Sequence, residues 1–131
     1  MKQYLSPEQT AKLIELGFEK PKNERWVLDI ANESTPSIQN IVKRQDYSIG
    51  ELIEMLPKTI EHEIWWGDEK GEKGYWGLRI DTDCTEYMWT ITYQRNHYAP
   101  LDIVGAGEEL IDALYEMAIK LKEEGVICGK Q

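Results

Sequence analysis

The sequence predicts a single α+β domain, and three observations carry that prediction. Two segments have complete helix boundaries, with a capping box at the start and a glycine or proline stop at the end. Three consecutive runs, TIEHEIWW, GYWGLRID and EYMWTITY, alternate with a period of two, the pattern of half-buried strands. The connections between these runs are short, whereas a parallel crossover needs a dozen residues or more. The expected sheet is therefore an antiparallel meander of three or four strands, packed by helices that include a long C-terminal one.

The first helix is SPEQTAKLIELGF. Ser6 is its N-cap, Pro7 takes the first helical position, Gln9 stands in capping-box spacing, and Gly17 ends it with Phe18 packing back. Its apolar stripe is Ala11, Leu13 and Ile14. KPKNE from Lys20 is a turn, and RWVLDIA from Arg25 reads as a strand over 25–31. In residues 32–46, Thr35 and Pro36 open either a short helix through Arg44 or a loop. SIGELIEMLP is a second helix, with Ser48 and Glu51 as a capping box, apolar residues at Ile49, Leu52, Ile53 and Leu56, and Pro57 as its stop.

The three strand runs follow, joined by the charged, glycine-rich loop GDEKGEKG and by a tight turn around Thr82 to Thr85. The chain closes with GEELIDALYEMAIKLKEEG, a helix whose acidic first turn suits its dipole and whose end is marked by Gly125.

Length and composition bound the functions open to this chain. Its 131 residues fit one domain, 1–131, and 41% hydrophobic content against 30% charge places it among folding sequences. Five Trp and seven Tyr against one Phe favour half-buried and interfacial positions, because these rings carry a polar tip. Residues 1–45 hold 7 basic and 6 acidic side chains, a net of +1, while residues 46–131 hold 8 and 18, a net of −10. That acidic body repels phosphate backbones and anionic membranes, which sets nucleic acid and membrane aside as partners. Lys20, Lys22 and Arg25 form a small local basic patch that departs from this balance.

MKQYLSPEQT has no apolar core of signal-peptide length and no apolar run approaches a membrane span, so a cytoplasmic protein is expected. Cys84 and Cys128 are then free thiols. Asp81, Asp83 and Glu86 around Cys84 oppose its thiolate.

Chemical motifs are few. LRIDTDCT, Leu78 to Thr85, resembles the Asp-x-Asp-x-Thr signature of the haloacid dehalogenase superfamily. That resemblance implies Asp81 as nucleophile and Asp83 as acid and base, in a parallel sheet with the motif near the N-terminus. Here the motif stands late in the chain and is followed by another strand instead of a crossover helix. It reads as a turn in which Asp and Thr side chains bond turn amides. Asp81, Asp83 and Thr85 also match the first, third and fifth places of a calcium loop, but Glu86 stands for its Gly and Thr92 for its closing Glu. His62 and His97 have no ligand spacing. His62 shares a strand face with Ile60 and Ile64, and a partly buried structural histidine is expected there. No catalytic residue, metal or cofactor is expected.

Surfaces remain. Alternation puts Ile60, Ile64, Trp66, Trp76, Leu78, Ile80, Tyr87, Trp89, Ile91 and Tyr93 on the face covered by helices. The other face carries Glu61, Glu63, Trp65, Tyr75, Arg79, Met88, Thr90 and Thr92, a composition that suits an interface, unless strand 25–31 or the first helix packs there. The candidate binding residues are Trp65, Tyr75, Arg79 and Thr90 on this face, with Arg95, His97 and Tyr98 of the loop QRNHYAP. On the closing helix Tyr115 and Ile119 extend the apolar stripe along one shoulder, to be covered by residues 32–46 or by a second molecule. The negative charge favours cover within the chain, hence a monomer.

A helix from Ser48, three meander strands and the closing EELIDALYEMAIKL together resemble small uncharacterised proteins of prophages and mobile elements of gut Bacteroidales. The likeness covers about residues 47–124 and implies no activity. The same part is similar to HicB-type antitoxins, in which a ribonuclease-H-like meander precedes such a helix, although no DNA-binding tail follows it here. Two functional readings result. One is a non-catalytic protein-interaction module, related to phage or mobile elements, that meets an unknown protein partner. The other is a small ligand-binding domain or enzyme with a pocket around Arg95, His97 and Tyr98.

Overall fold

The computed structural model describes residues 2–22, 24–28, 41–66, 69–83, 88–95 and 100–126. Its elements in chain order are α1 (Pro7–Glu15), β1 (Arg25–Leu28), β2 (Ile41–Arg44), α2 (Ile49–Met55), β3 (Thr59–Trp66), β4 (Glu69–Asp83), β5 (Met88–Gln94), β6 (Gly105–Gly107) and α3 (Leu110–Glu123). β1 and β2 pair with each other, and β3-β4-β5-β6 form a four-stranded sheet in sequence order, antiparallel throughout. The α+β architecture is the one the alternating strands and short connections predict.

The helix boundaries follow from local chemistry. At α1 the Ser6 hydroxyl accepts from the Gln9 N–H at 3.1 Å while the Gln9 side chain accepts from the Ser6 N–H at 3.0 Å. Ser48 and Glu51 repeat this reciprocal pair at α2. Each closed box satisfies two amides that the first turn leaves without helical partners. α1 and α3 end alike, with Gly17 at φ 102° and Gly125 at φ 74°, conformations that cost a residue with a Cβ. In each case the next residue's N–H reaches back, Phe18 to the Leu13 carbonyl and Val126 to the Leu121 carbonyl.

α3 buries Ile111, Ala113, Leu114, Met117, Ala118 and Leu121, and lies against β5, β6 and α2. Those side chains join Leu5, Leu13, Phe18, Tyr47, Leu52, Leu56, Ile60, Trp76, Ile91 and Tyr93 in one apolar cluster that draws on both ends of the chain. Burying each large member stabilises by roughly 1.5–3 kcal/mol before conformational entropy is counted. The expected core face of the meander is thus in place at Ile60, Trp76, Ile91 and Tyr93, with Leu78, Ile80 and Trp89 packed at its margin. Tyr87 and the side chains of Ile64 and Trp66 lie outside the described residues. Tyr115 and Ile119 are half-buried and pack against the same cluster.

Four expectations about secondary structure are corrected. The end of segment 32–46 is strand, neither helix nor loop: Ile41 and Val42 are β-branched, and the ladder sets Ile41 opposite Leu28 and Val42 opposite Val27. Residues 32–40 and 29–31 lie outside the described residues. The glycine-rich stretch expected as a loop from Gly67 is strand from Glu69 onward, because the ladder with β3 continues to Trp66 opposite Glu69 and leaves only two residues to connect them. Thr82 and Asp83, expected in the tight turn, are likewise in strand β4, paired with Trp89 and Met88, and continue the strand past Asp81. Cross-strand hydrogen bonding outweighs the weak strand propensity of Gly and Asp at these positions. Finally, Gly107 ends a short strand that the sequence did not announce, and α3 begins three residues later.

The β1–β2 hairpin is tied to the body by a buried carboxylate. Asp46, 1% exposed, faces Nη2 of Arg25 at 3.3 Å and Nη2 of Arg44 at 3.2 Å, with the Arg44 Nε at 3.4 Å. The Arg25 guanidinium also lies 4.0 Å over the Tyr4 ring. Tyr4 in turn bridges to Ser48 beside α2, so the N-terminal segment, the hairpin and α2 meet at one point.

Two buried tyrosines make a first prediction. The Tyr47 hydroxyl donates to the Glu19 carbonyl, and burial, reinforced by the Glu51 and Glu19 carboxylates, pushes its pKa up to about 12. Tyr93 donates to the Pro57 carbonyl at 2.7 Å and is raised by burial alone. Below the unfolded tyrosine pKa of about 10 both states keep these protons, so nothing is lost. As pH rises from there towards about 12, the unfolded chain releases protons that the folded chain holds, and stability falls. Denaturant midpoints are expected to drop across this alkaline window, less steeply in Tyr47→Phe; a flat profile in the parent would contradict the buried hydroxyls.

Candidate functional site

Strand β4 alternates between the core and the outer face. Trp76 is buried, while Tyr75, Gly77, Arg79 and Asp81 line the opposite side. The ladder sets Glu61 beside Tyr75, Thr92 beside Arg79 and Thr90 beside Asp81. Tyr75 is 64% exposed and Arg79 is exposed as well, so neither α1 nor β1 covers the face at these positions. Between them Gly77 leaves a low spot, where an added Cβ would meet nothing nearer than the Gln94 carbonyl at 3.9 Å.

Arg79 is held from two sides. Its Nε lies 2.9 Å from the Asp81 carboxylate and its Nη1 donates to the Gln94 side chain at 3.0 Å. Gln94 passes the contact on, donating to the Thr92 hydroxyl at 3.3 Å. An exposed ion pair of this kind contributes only about 0–1 kcal/mol to stability. Its effect is on geometry, since it fixes where a cationic group stands on an open surface. Arg95 donates from Nη1 to the Tyr75 carbonyl at 3.1 Å, which ties the end of β5 to β4 beneath the exposed ring.

Of the candidate binding residues, Tyr75 and Arg79 share the outer face four residues apart along β4, Arg95 meets the Tyr75 carbonyl, and Thr90 sits half-buried with its hydroxyl 3.5 Å from the Asp81 carbonyl. Trp65 belongs to β3, opposite Lys70, and its side chain lies outside the described residues, as do His97, Tyr98, Cys84 and Cys128. His62 is a correction: it is exposed, with its ring edge-on to Trp76 at 6.5 Å between centroids. Period-two alternation assigns a side but not a depth. α3 lies against β5 and β6, and on β3 the buried Ile60 is followed two residues on by the exposed His62.

Gly77, Asp81 and Gln94 are members of the face that alternation had not been used to assign to it. Asp81 follows Arg79 by two in GYWGLRID, and Gln94 follows Thr90 and Thr92 at the same parity, one residue past EYMWTITY; only the meeting of Gln94 with Arg79 depends on the β4–β5 register.

Among the described residues no group of three or more His, Cys, Asp or Glu could hold a metal ion. No helix among them is long and apolar enough to cross a membrane. Asp81 is paired with Thr90 in a strand that runs antiparallel to both its neighbours, which differs from the parallel sheet that the Asp-x-Asp-x-Thr resemblance implies. Fold and face together define an antiparallel α+β protein with an open sheet surface bearing tyrosine and arginine. The chain matches no family model, no curated protein and no solved structure.

Proposed function

We propose that this protein is a non-catalytic interaction module that acts as a monomer and engages a protein partner through the outer face of its four-stranded sheet. The observation that carries the reading is the exposed Tyr75 on the same strand face as an Arg79 already held by Asp81 and Gln94. Tyrosine and arginine dominate the energetics of protein interfaces, and a side chain fixed before binding loses less entropy on association. Half-burial of Tyr115 and Ile119 against the protein's own core supports the monomer.

A photo-crosslinking residue placed at Tyr75 tests the reading, with the exposed Glu54 of α2 as the control site. The expected result is a discrete protein adduct at 75 and none at 54. Arg79→Glu should weaken retention of the same partner by about tenfold or more. Equal adducts at both sites, or none at 75, would refute the proposal. Light scattering should return the 15.3 kDa mass of one chain, and a stable dimer mass would remove the monomer from it.

A further inference from the structure

The four-stranded sheet has two edges of unequal length. β6 closes one side with three residues, whereas β3 borders the other with eight. Which peptide groups of β3 face outward follows from the ladder. The Leu78 N–H donates to the Lys58 carbonyl at 2.9 Å, and the pairs Thr59–Gly77 and Ile60–Trp76 continue that register. Hydrogen-bonded and non-bonded pairs alternate along an antiparallel ladder. Ile60 and His62 therefore turn their main-chain groups to β4, and Thr59, Glu61 and Glu63 turn theirs to the edge. The register shift between Glu63 and Trp65 marks the end of this regular stretch. Among the described residues no other strand pairs with β3 on that side.

We infer that this edge accepts an extended, basic segment of a protein partner as a fifth strand. The inference rests on the interaction-module reading and adds to it the binding mode and the chemistry of the partner. Main-chain bonds would supply affinity in such a mode, and alternate side chains would supply selectivity.

Charge decides between the possible occupants. Two of the three residues that turn their main chain outward are glutamates, Glu61 is exposed, and the chain carries a net charge of −9. A second copy pairing antiparallel about a two-fold axis near His62 would set Glu61 against Glu63 of the other molecule. Like charges directly opposite are destabilising, which is also how natural edges resist self-pairing. An incoming strand with Lys or Arg at alternate positions reverses the sign at both places. It would also lie next to Tyr75, the cross-strand neighbour of Glu61, so edge and outer face form one continuous surface.

An eight-residue peptide alternating Lys and Thr is the probe, titrated into the isotope-labelled full chain. The controls are a Glu-Thr peptide and a Lys-Thr peptide N-methylated at alternate amides. Saturable binding is expected for the first alone, with slowed amide exchange at Thr59, Glu61 and Glu63. The double variant Glu61→Lys, Glu63→Lys should bind about tenfold more weakly. Glu61→Pro should abolish binding, since it removes an outward N–H while leaving the β3–β4 ladder intact.

Equal binding of the N-methylated peptide would overturn the inference in favour of charge attraction alone. Protection of the three amides that grows with protein concentration, without peptide, would overturn it in favour of a second copy. Absence of binding up to about 1 mM would overturn it outright. A partner that crosslinks at position 75 and is retained equally by Glu61→Pro would overturn the edge alone and leave the interaction module standing, whereas loss of the adduct at 75 would remove both.

Discussion

Gly105→Ala is expected to cost about 3 kcal/mol and to lower the melting temperature by roughly 10 °C. The reason is the distance at which β6 crosses α3. A Cβ on Gly105 would stand 2.5 Å from the Ala113 carbonyl oxygen, 2.8 Å from the Met117 Cβ and 2.9 Å from the Met117 nitrogen. All three are inside van der Waals contact, and two belong to helix backbone, which has no rotamer to turn away. Relief requires α3 to move off β6. That helix buries six side chains in the common core, so a shift large enough to admit a methyl group loosens packing along its whole length.

Gly77→Ala is the matched control. It lies in the same sheet but meets only the Gln94 carbonyl at an ordinary 3.9 Å, and it should change stability by no more than about 1 kcal/mol. Thermal unfolding followed by circular dichroism compares the two. A Gly105→Ala protein melting within a few degrees of the parent would mean that β6 and α3 are further apart than described.

The same glycine shows why part of the fold was hidden from sequence reading. Gly105-Ala106-Gly107 has no β-branched or aromatic residue and no alternation; it is a strand because only small residues fit beneath α3, a condition set by an element that begins later in the chain. β2 fails for a related reason. Four residues are too few to show a period, and the partner that makes Ile41 to Arg44 a strand lies well back in the sequence. By contrast, the caps at Ser6 and Ser48 and the stops at Gly17 and Gly125 are decided within about five residues, and each stands where its local chemistry puts it.

The candidate face divides along the same line. Tyr75 and Arg79 were legible because strand alternation assigns a side, and their exposure agrees with it. The contact of Arg79 with Gln94 depends on the register between β4 and β5, which comes from pairing.

Asp46→Ala is expected to destabilise by about 2–3 kcal/mol, and to do so unevenly. Breaking a buried ion pair by removing one partner costs about 3–5 kcal/mol, because the remaining charge is left without compensation. Here the carboxylate is buried but Arg25 and Arg44 are about one third exposed, so water can take up part of the loss, and the lower figure follows. What remains is two guanidinium groups facing an empty acceptor at the root of the β1–β2 hairpin. A two-stranded hairpin is marginal in water on its own, and β1 and β2 pack chiefly against each other.

Loss of the carboxylate should therefore release the hairpin before it disturbs the four-stranded sheet. Amide exchange at Val27 and Val42 is expected to accelerate strongly in Asp46→Ala, while Ile91 and Leu114 in the common core lose only the smaller global increment. Asp46→Asn keeps an acceptor and removes the charge, and should fall between the parent and the alanine variant. Exchange that rises equally at Val27 and at Leu114 would show that the carboxylate stabilises the whole domain and not the docking of its hairpin.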